Sequence, residues 1–228
     1  MFVPGLLCTA ELYRDQIAGL ADLARITVAD HGGAETIGAV AASVLAAAPA
    51  RFALCGLSMG GYVAFEMLRQ APERIERLAL LDTSAAADTP PQTAARHERI
   101  ALAEAGRLAE VAAALWPNFV HASRVGDAAL RARYDAMVAE TGAARFVRQM
   151  RAIMSRPDSR PGLGEIAQQT LVLVGDADRV TPPAEAQVIA DGIAFSRLTT
   201  IAACGHLSTM ERPEAVTAAL RQWLTAAA

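Results

Sequence analysis

Nothing in this 228-residue sequence is long and apolar enough to span a bilayer. The longest weakly polar run, 37–50, is alanine-rich and too short. The start, Met-Phe-Val-Pro-Gly, has neither a basic n-region nor a long apolar h-region. We expect no secretory leader, no membrane partner and, by default, a cytoplasmic protein. No Lys/Arg block or basic stripe is present to neutralise phosphates, and the formal net charge is −3 with both signs scattered. Nucleic-acid partners are therefore not expected. Cysteine is scarce: Cys8, Cys55 and Cys204 stand at wide, unmatched spacings, outside any CxxC or Cys/His cluster. Neither a disulfide framework nor a zinc site follows, and the thiols read as small buried hydrophobes. Apolar residues make up 53% and charged residues 20%. That composition and length suit one folded domain with an inserted lobe.

Short apolar runs alternate with helical patterns. The runs are 25–29, 51–55, 78–81, 170–174 and 197–202. Uninterrupted apolar stretches of that length suit strands buried on both faces. Between them, 61–70 reads as a helix pressed on a sheet. Thr181 reads as an N-cap ahead of Pro182 and Pro183, and Pro213 opens a last helix with Val216, Leu220, Trp223 and Leu224 on one face. The expected class is α/β: a mostly parallel sheet flanked by helices. From 84 to 165 the alternation stops. Three amphipathic patterns follow: Leu108, Val111 and Leu115; then Leu130, Tyr134, Met137 and Val138; then Phe146, Met150, Ile153 and Met154. Thr89-Pro-Pro91 and 156–162 frame them with loop chemistry. The expected division is a core of 1–83 and 166–228, with 84–165 inserted as a helical lobe.

One motif carries chemistry. Gly56-Leu-Ser58-Met-Gly60 follows an apolar run and precedes a helix pattern. A serine on such a strand-to-helix turn projects its hydroxyl outward as a candidate nucleophile. Serine needs a base. Of His31, His97, His121 and His206, only His206 stands after the last strand, at the sheet edge where sites form in open α/β sheets. Its orienting carboxylate is read as Asp178, with Asp176 and Asp82 as weaker claimants.

These segments resemble the α/β-hydrolase fold superfamily, in particular small bacterial capped serine hydrolases of carboxylesterase or lactonase type. The resemblance runs from Pro4-Gly-Leu-Leu through GLSMGG, 78–82 and GDADRVTPP to CGHLSTMERP. It implies cleavage of esters or lactones of small to medium apolar substrates through an acyl-enzyme, with no metal or organic cofactor. The alternatives are C–C or amide bond cleavage, or lyase chemistry, with the same residues, and a non-catalytic receptor on the same fold. The resemblance also implies an oxyanion hole from the N–H groups of Met59 and Leu6, with Leu7 as the neighbouring choice. It makes the inserted lobe a cap, with Trp116, Phe119, Tyr134, Phe146, Met150 and Met154 as candidate pocket residues in an apolar, weakly charged cavity. Arg148 and Arg151 are the candidates for a carboxylate contact there. Two departures stand out. Pro4 stands where the oxyanion loop commonly has histidine, and only Met1-Phe-Val3 precede that loop where the family usually carries an N-terminal hairpin, so that either the start is shortened or the sheet is trimmed. Loss of that hairpin would leave 25–29 as an exposed sheet edge, open to homodimer formation.

Overall fold

The computed structural model describes residues 1–226. Five strands form one parallel sheet: β1 (Phe2–Val3), β2 (Phe52–Leu57), β3 (Ile75–Leu81), β4 (Gln169–Gly175) and β5 (Ser196–Ile201), in that spatial order. Side chains alternate between faces, as the pleat requires. Cys55, Leu57, Ala79, Leu81, Leu171 and Leu173 join one apolar cluster, while Leu54, Leu78, Leu80, Val172 and Val174 join another. Both faces are thus dry, which is why the strands read as continuous apolar runs.

Helices cover both faces. On the second face lie α2 (Ile37–Ala47), α3 (Met59–Gln70) and α7 (Pro183–Gly192). The first face is closed by α9 (Pro213–Thr225) through Val216, Leu220 and Trp223. Against it packs α1 (Arg14–Gly19), while α8 (Ser208–Glu211) is the short turn before α9. No helix among the described residues is long and apolar enough to cross a membrane.

Residues 25–29 do not form a regular strand. They make a single bridge, Phe2 to Val28, with Phe2 N–H donating to Thr27 O (2.8 Å) and Ala29 N–H to Phe2 O (2.8 Å). A two-residue β1 offers only that much backbone to pair with. The chain therefore runs outward from β1 and returns across it to β2. The switch point lies between the loops that follow β1 and β2, where a crevice is expected.

Between β3 and β4 lie α4 (Pro90–Glu104), α5 (Leu108–Phe119) and α6 (Ala128–Met154). The second and third amphipathic patterns are two helical segments of α6 that meet at a kink at Gly142. Helix α4 was not visible as a periodic pattern. Thr89-Pro-Pro91 is not a loop but a helix start: Thr89 is the N-cap of a capping box with Gln92, and the prolines fill the first turn. Only Ile100 and Ala103 of α4 are buried, too few to mark a face. The insertion does not own a separate core. Val111, Leu115, Tyr134, Phe146 and Met150 share the cluster of Leu57 and Leu81.

Gly142 adopts φ 67° and ψ 167°, and an added Cβ would meet open space. Gly142→Ala should therefore cost about 1–3 kcal/mol through backbone strain alone, read as a lower urea midpoint at unchanged m-value. No loss of stability would show that the bend does not depend on glycine.

Candidate active site

Strand β2 hands over to α3 at Ser58. Its N–H still pairs with Leu81 O (2.9 Å), yet its backbone turns to φ 54° and ψ −114°. Such a conformation is costly for a side-chain-bearing residue and persists only where the surroundings enforce it. Here Thr83 Oγ1 donates to Ser58 O (2.8 Å). The glycine at 60 allows close approach: a Cβ there would lie 1.9 Å from Val3 O. The elbow is thus pressed directly on the end of β1.

His206 lies in the loop after β5 and is buried. Its Nδ1 is 2.8 Å from Asp178 Oδ2. The carboxylate is otherwise saturated. Thr181 Oγ1 donates to Oδ2 (2.9 Å), and the N–H groups of Val180 and Thr181 donate to Oδ1 (2.8 and 3.0 Å). Burial works against the charge on Asp178, but His206 and these donors outweigh it and hold the carboxyl below its ordinary range. Burial also pulls His206 down. The charge and hydrogen bond of Asp178, with lesser help from Asp82 and Glu211, outweigh that pull and raise its pKa.

The other two aspartates have structural partners. Asp176 accepts from Ala203 N–H (2.9 Å) and Cys204 N–H (3.0 Å), bracing the loops after β4 and β5. Asp82 is fully buried, accepts from Gly175 N–H (2.9 Å) and takes the Ser208 hydroxyl. Burial, and then the charge of Asp178, push its pKa well above the carboxylate range.

Several residues here were not foreseen. Thr181 does not cap α7; Pro182 occupies that position, and the threonine hydroxyl serves Asp178 instead. Glu211 accepts from Gly205 N–H and His121 N–H (both 2.8 Å), fixing the His206 loop from the other side. Gln149 of α6 accepts from Leu7 N–H (3.2 Å), while its Nε2 lies 3.2 Å from His31 Nε2, itself 3.2 Å from Gly5 O. The Leu7 N–H is thereby taken, whereas Leu6 N–H meets no acceptor among the described residues. His31 is buried and its pKa is lowered to about 4, first by burial. His97 is exposed, and His121 bonds Ser123. No cluster of three or more His, Cys, Asp or Glu suited to a metal occurs among the described residues.

Ser58, His206 and Leu6 border one cavity of about 490 Å³. Of the six residues expected to line it, only Phe119 does so, its ring 5.5 Å from that of His206. Trp116 stacks on Tyr134 at 5.3 Å and donates to Val125 O (2.9 Å). Tyr134, Phe146 and Met150 are fully buried in the first cluster, and Met154 packs against it. Helix α4 takes their place through Pro91, Gln92, Ala95, Arg96 and Arg99. Nor is the cavity weakly charged: Arg96, Arg99, Arg156, Arg179 and Glu185 all face it. Arg148 and Arg151 do not. Arg148 donates to Gly32 O, and Arg151 pairs with Glu35 and Glu104.

The two buried histidines are shifted in opposite directions. An NMR titration of their ring protons should find His206 titrating above 6.5 and His31 near 4. Asp178→Asn should move His206 downward, because burial then dominates. An unmoved His206 in that variant would show that Asp178 is not its principal partner.

A family profile described as "Serine aminopeptidase, S33" matches residues 28–213. The chain is 29% identical to a pimeloyl-[acyl-carrier protein] methyl ester esterase from Aromatoleum aromaticum, over 81% of this chain and 80% of that protein. Among solved structures it is similar to a thermophilic esterase from Thermogutta terrifontis, studied with malate bound. The TM-score is 0.88 at 29% identity, covering 98% of this chain and 88% of that one. An enol-lactonase from Burkholderia xenovorans also superposes with a TM-score of 0.88, at 26% identity, covering 98% of this chain and 90% of that one. With the sheet order, the elbow and the profile in agreement, the chain belongs to the serine aminopeptidase S33 family of α/β-hydrolases.

Proposed function

We propose that this α/β-hydrolase is a serine hydrolase that cleaves carboxylic esters or lactones through an acyl-enzyme. One observation carries the reading: a buried imidazole, held at Nδ1 by a carboxylate 2.8 Å away, borders the same cavity as the elbow serine. A binding protein has no use for an imidazole poised in that way.

In this reading Ser58 Oγ attacks the carbonyl carbon and its proton passes to His206 Nε2. Asp178 steadies the imidazolium. The oxyanion accepts from the N–H groups of Met59 and Leu6, each worth roughly 3 kcal/mol. Collapse breaks the carbonyl–oxygen bond, and His206 protonates the leaving alkoxide. Water then gives a proton to His206 and attacks the acyl-enzyme; collapse releases the acid as His206 returns that proton to Ser58 Oγ. The 84–165 segment serves as the cap, with α4 and α5 supplying the cavity wall. The esterase and enol-lactonase names among its relatives fit carbonyl–oxygen cleavage. Gln149 is a positioning residue: it fixes the backbone beside Leu6 from the cap helix.

Hydrolysis of p-nitrophenyl esters, acetate to octanoate, by wild type and Ser58→Ala tests the reading. The variant should lose at least about 10³-fold in kcat. Because His206 must be neutral to take the proton and its pKa is raised, kcat/KM should climb with pH through a midpoint above 6.5. Equal residual activity in both proteins would sink the nucleophile assignment. Labelling of Ser58 by a fluorophosphonate without ester turnover would move the reading to carbon–carbon or amide substrates. Gln149→Leu should lower kcat by about tenfold with a smaller change in KM, since it disturbs oxyanion placement and not ground-state binding.

A further inference from the structure

All 21 basic residues of this chain are arginine. Nearly every one meets a carboxylate, a carbonyl or an amide oxygen. Only Arg25, Arg99 and Arg179 meet no such acceptor among the described residues. Two of these three line the cavity that holds Ser58 and His206. Two of the three arginines without an acceptor are thus gathered where a ligand would sit.

The other charges at that wall are already engaged. Asp88 accepts from Arg96 Nε (2.6 Å) and pairs with Arg156 Nη1 (2.8 Å), so one carboxylate serves two guanidiniums. Arg156 also lies over the Tyr62 ring, at 4.1 Å from its centroid. Glu185 takes the Ser84 hydroxyl (2.6 Å). Four arginines thus stand against Glu185, Asp88 and the Asp178 carboxylate behind His206, an excess of one positive charge in a chain of formal net charge −3. Arg99 is half-buried, one turn beyond Arg96 on α4. Burial, and next the neighbouring charge of Arg96, lower its pKa. A partly desolvated cation beside a like charge costs free energy until an anion reaches it. Arg179 is exposed and contributes mainly long-range attraction. The remaining wall is largely apolar, including Leu6, Leu115, Phe119 and Ile153.

We propose that Arg99, assisted by Arg179, is an anion subsite of this cavity, and that the preferred substrate carries a carboxylate remote from the bond that is cleaved. The substrate claim rests on the serine-hydrolase reading; the anion site itself does not. A partly desolvated guanidinium fork matches a single carboxylate in two parallel hydrogen bonds. The apolar wall between would accommodate a short aliphatic spacer.

Two ester series locate the carboxylate. Monomethyl succinate, glutarate and adipate place it on the acyl side. Acetate esters of glycolic, 3-hydroxypropionic and 4-hydroxybutyric acids place it on the alcohol side. Each is compared with its neutral primary-amide isostere. We expect wild type to favour the charged member by about tenfold or more in kcat/KM in one series, and Arg99→Gln to lower that ratio by about tenfold, chiefly through KM, with Arg99→Lys restoring part of it. A charged-to-neutral ratio at or below one in both series, or a ratio unchanged in Arg99→Gln, overturns the proposal. Calorimetric titration of Ser58→Ala with free succinate, glutarate and adipate separates the two readings. Binding that Arg99→Gln weakens about tenfold supports the subsite even where no ester is hydrolysed. Absence of dicarboxylate binding in a protein that hydrolyses neutral esters overturns the subsite and leaves the hydrolase reading standing.

Discussion

A carboxylate and an imidazole in contact within a dry interior set the demands that the neighbouring loops must meet. Removing both groups from water is expensive, and their attraction offsets that only when the remaining lone pairs are also satisfied. The loop after β4 meets the demand for Asp178 by folding back, so that two backbone N–H groups and the Thr181 hydroxyl reach the same carboxylate. The loop after β5 is held on its far side by Glu211 and on its near side by Asp176. Asp82 bridges the end of β4 to Ser208 beneath the histidine. Each of these acidic groups accepts from backbone N–H groups, so the histidine loop is fixed mainly by main-chain contacts.

The sequence made the elbow legible because its constraints are local. A sharp turn with φ 54° at Ser58, packed on Val3, excludes larger residues at its glycines, and that exclusion leaves a readable spacing. The sheet was legible because strands buried on both faces must be apolar at every position. The order of Ser58, Asp178 and His206 followed from placing each after a strand. What the sequence hid was set by partners far along the chain. Gln149 meets Leu7 across more than a hundred residues, and no local pattern announces such a contact.

The pocket was misread for a related reason. Large apolar side chains in the insertion looked like a substrate wall, but burial against one another satisfies them better, and Trp116 with Tyr134 does so. A cavity wall is lined by residues that tolerate solvent. Helix α4, polar over most of its length and sparsely buried, supplies such residues and lacks a clear apolar period for that same reason. The Thr89-Pro-Pro91 segment carried its start signal in plain view, yet prolines mark loops and helix starts alike, and only the geometry of the Thr89–Gln92 box separates the two.

The three free thiols have a use beyond packing. All are buried, and burial pushes Cys8 and Cys55 up to about 12. In the closed molecule they should be inert to alkylating reagents, which attack the thiolate. They also sit in three different neighbourhoods: Cys8 in the loop after β1, Cys55 on β2 between β1 and β3, and Cys204 in the loop that carries His206. Their separate alkylation rates therefore act as built-in clocks of local opening. The chain would report, without any introduced label, whether the loops around its cavity breathe independently of the sheet beneath them.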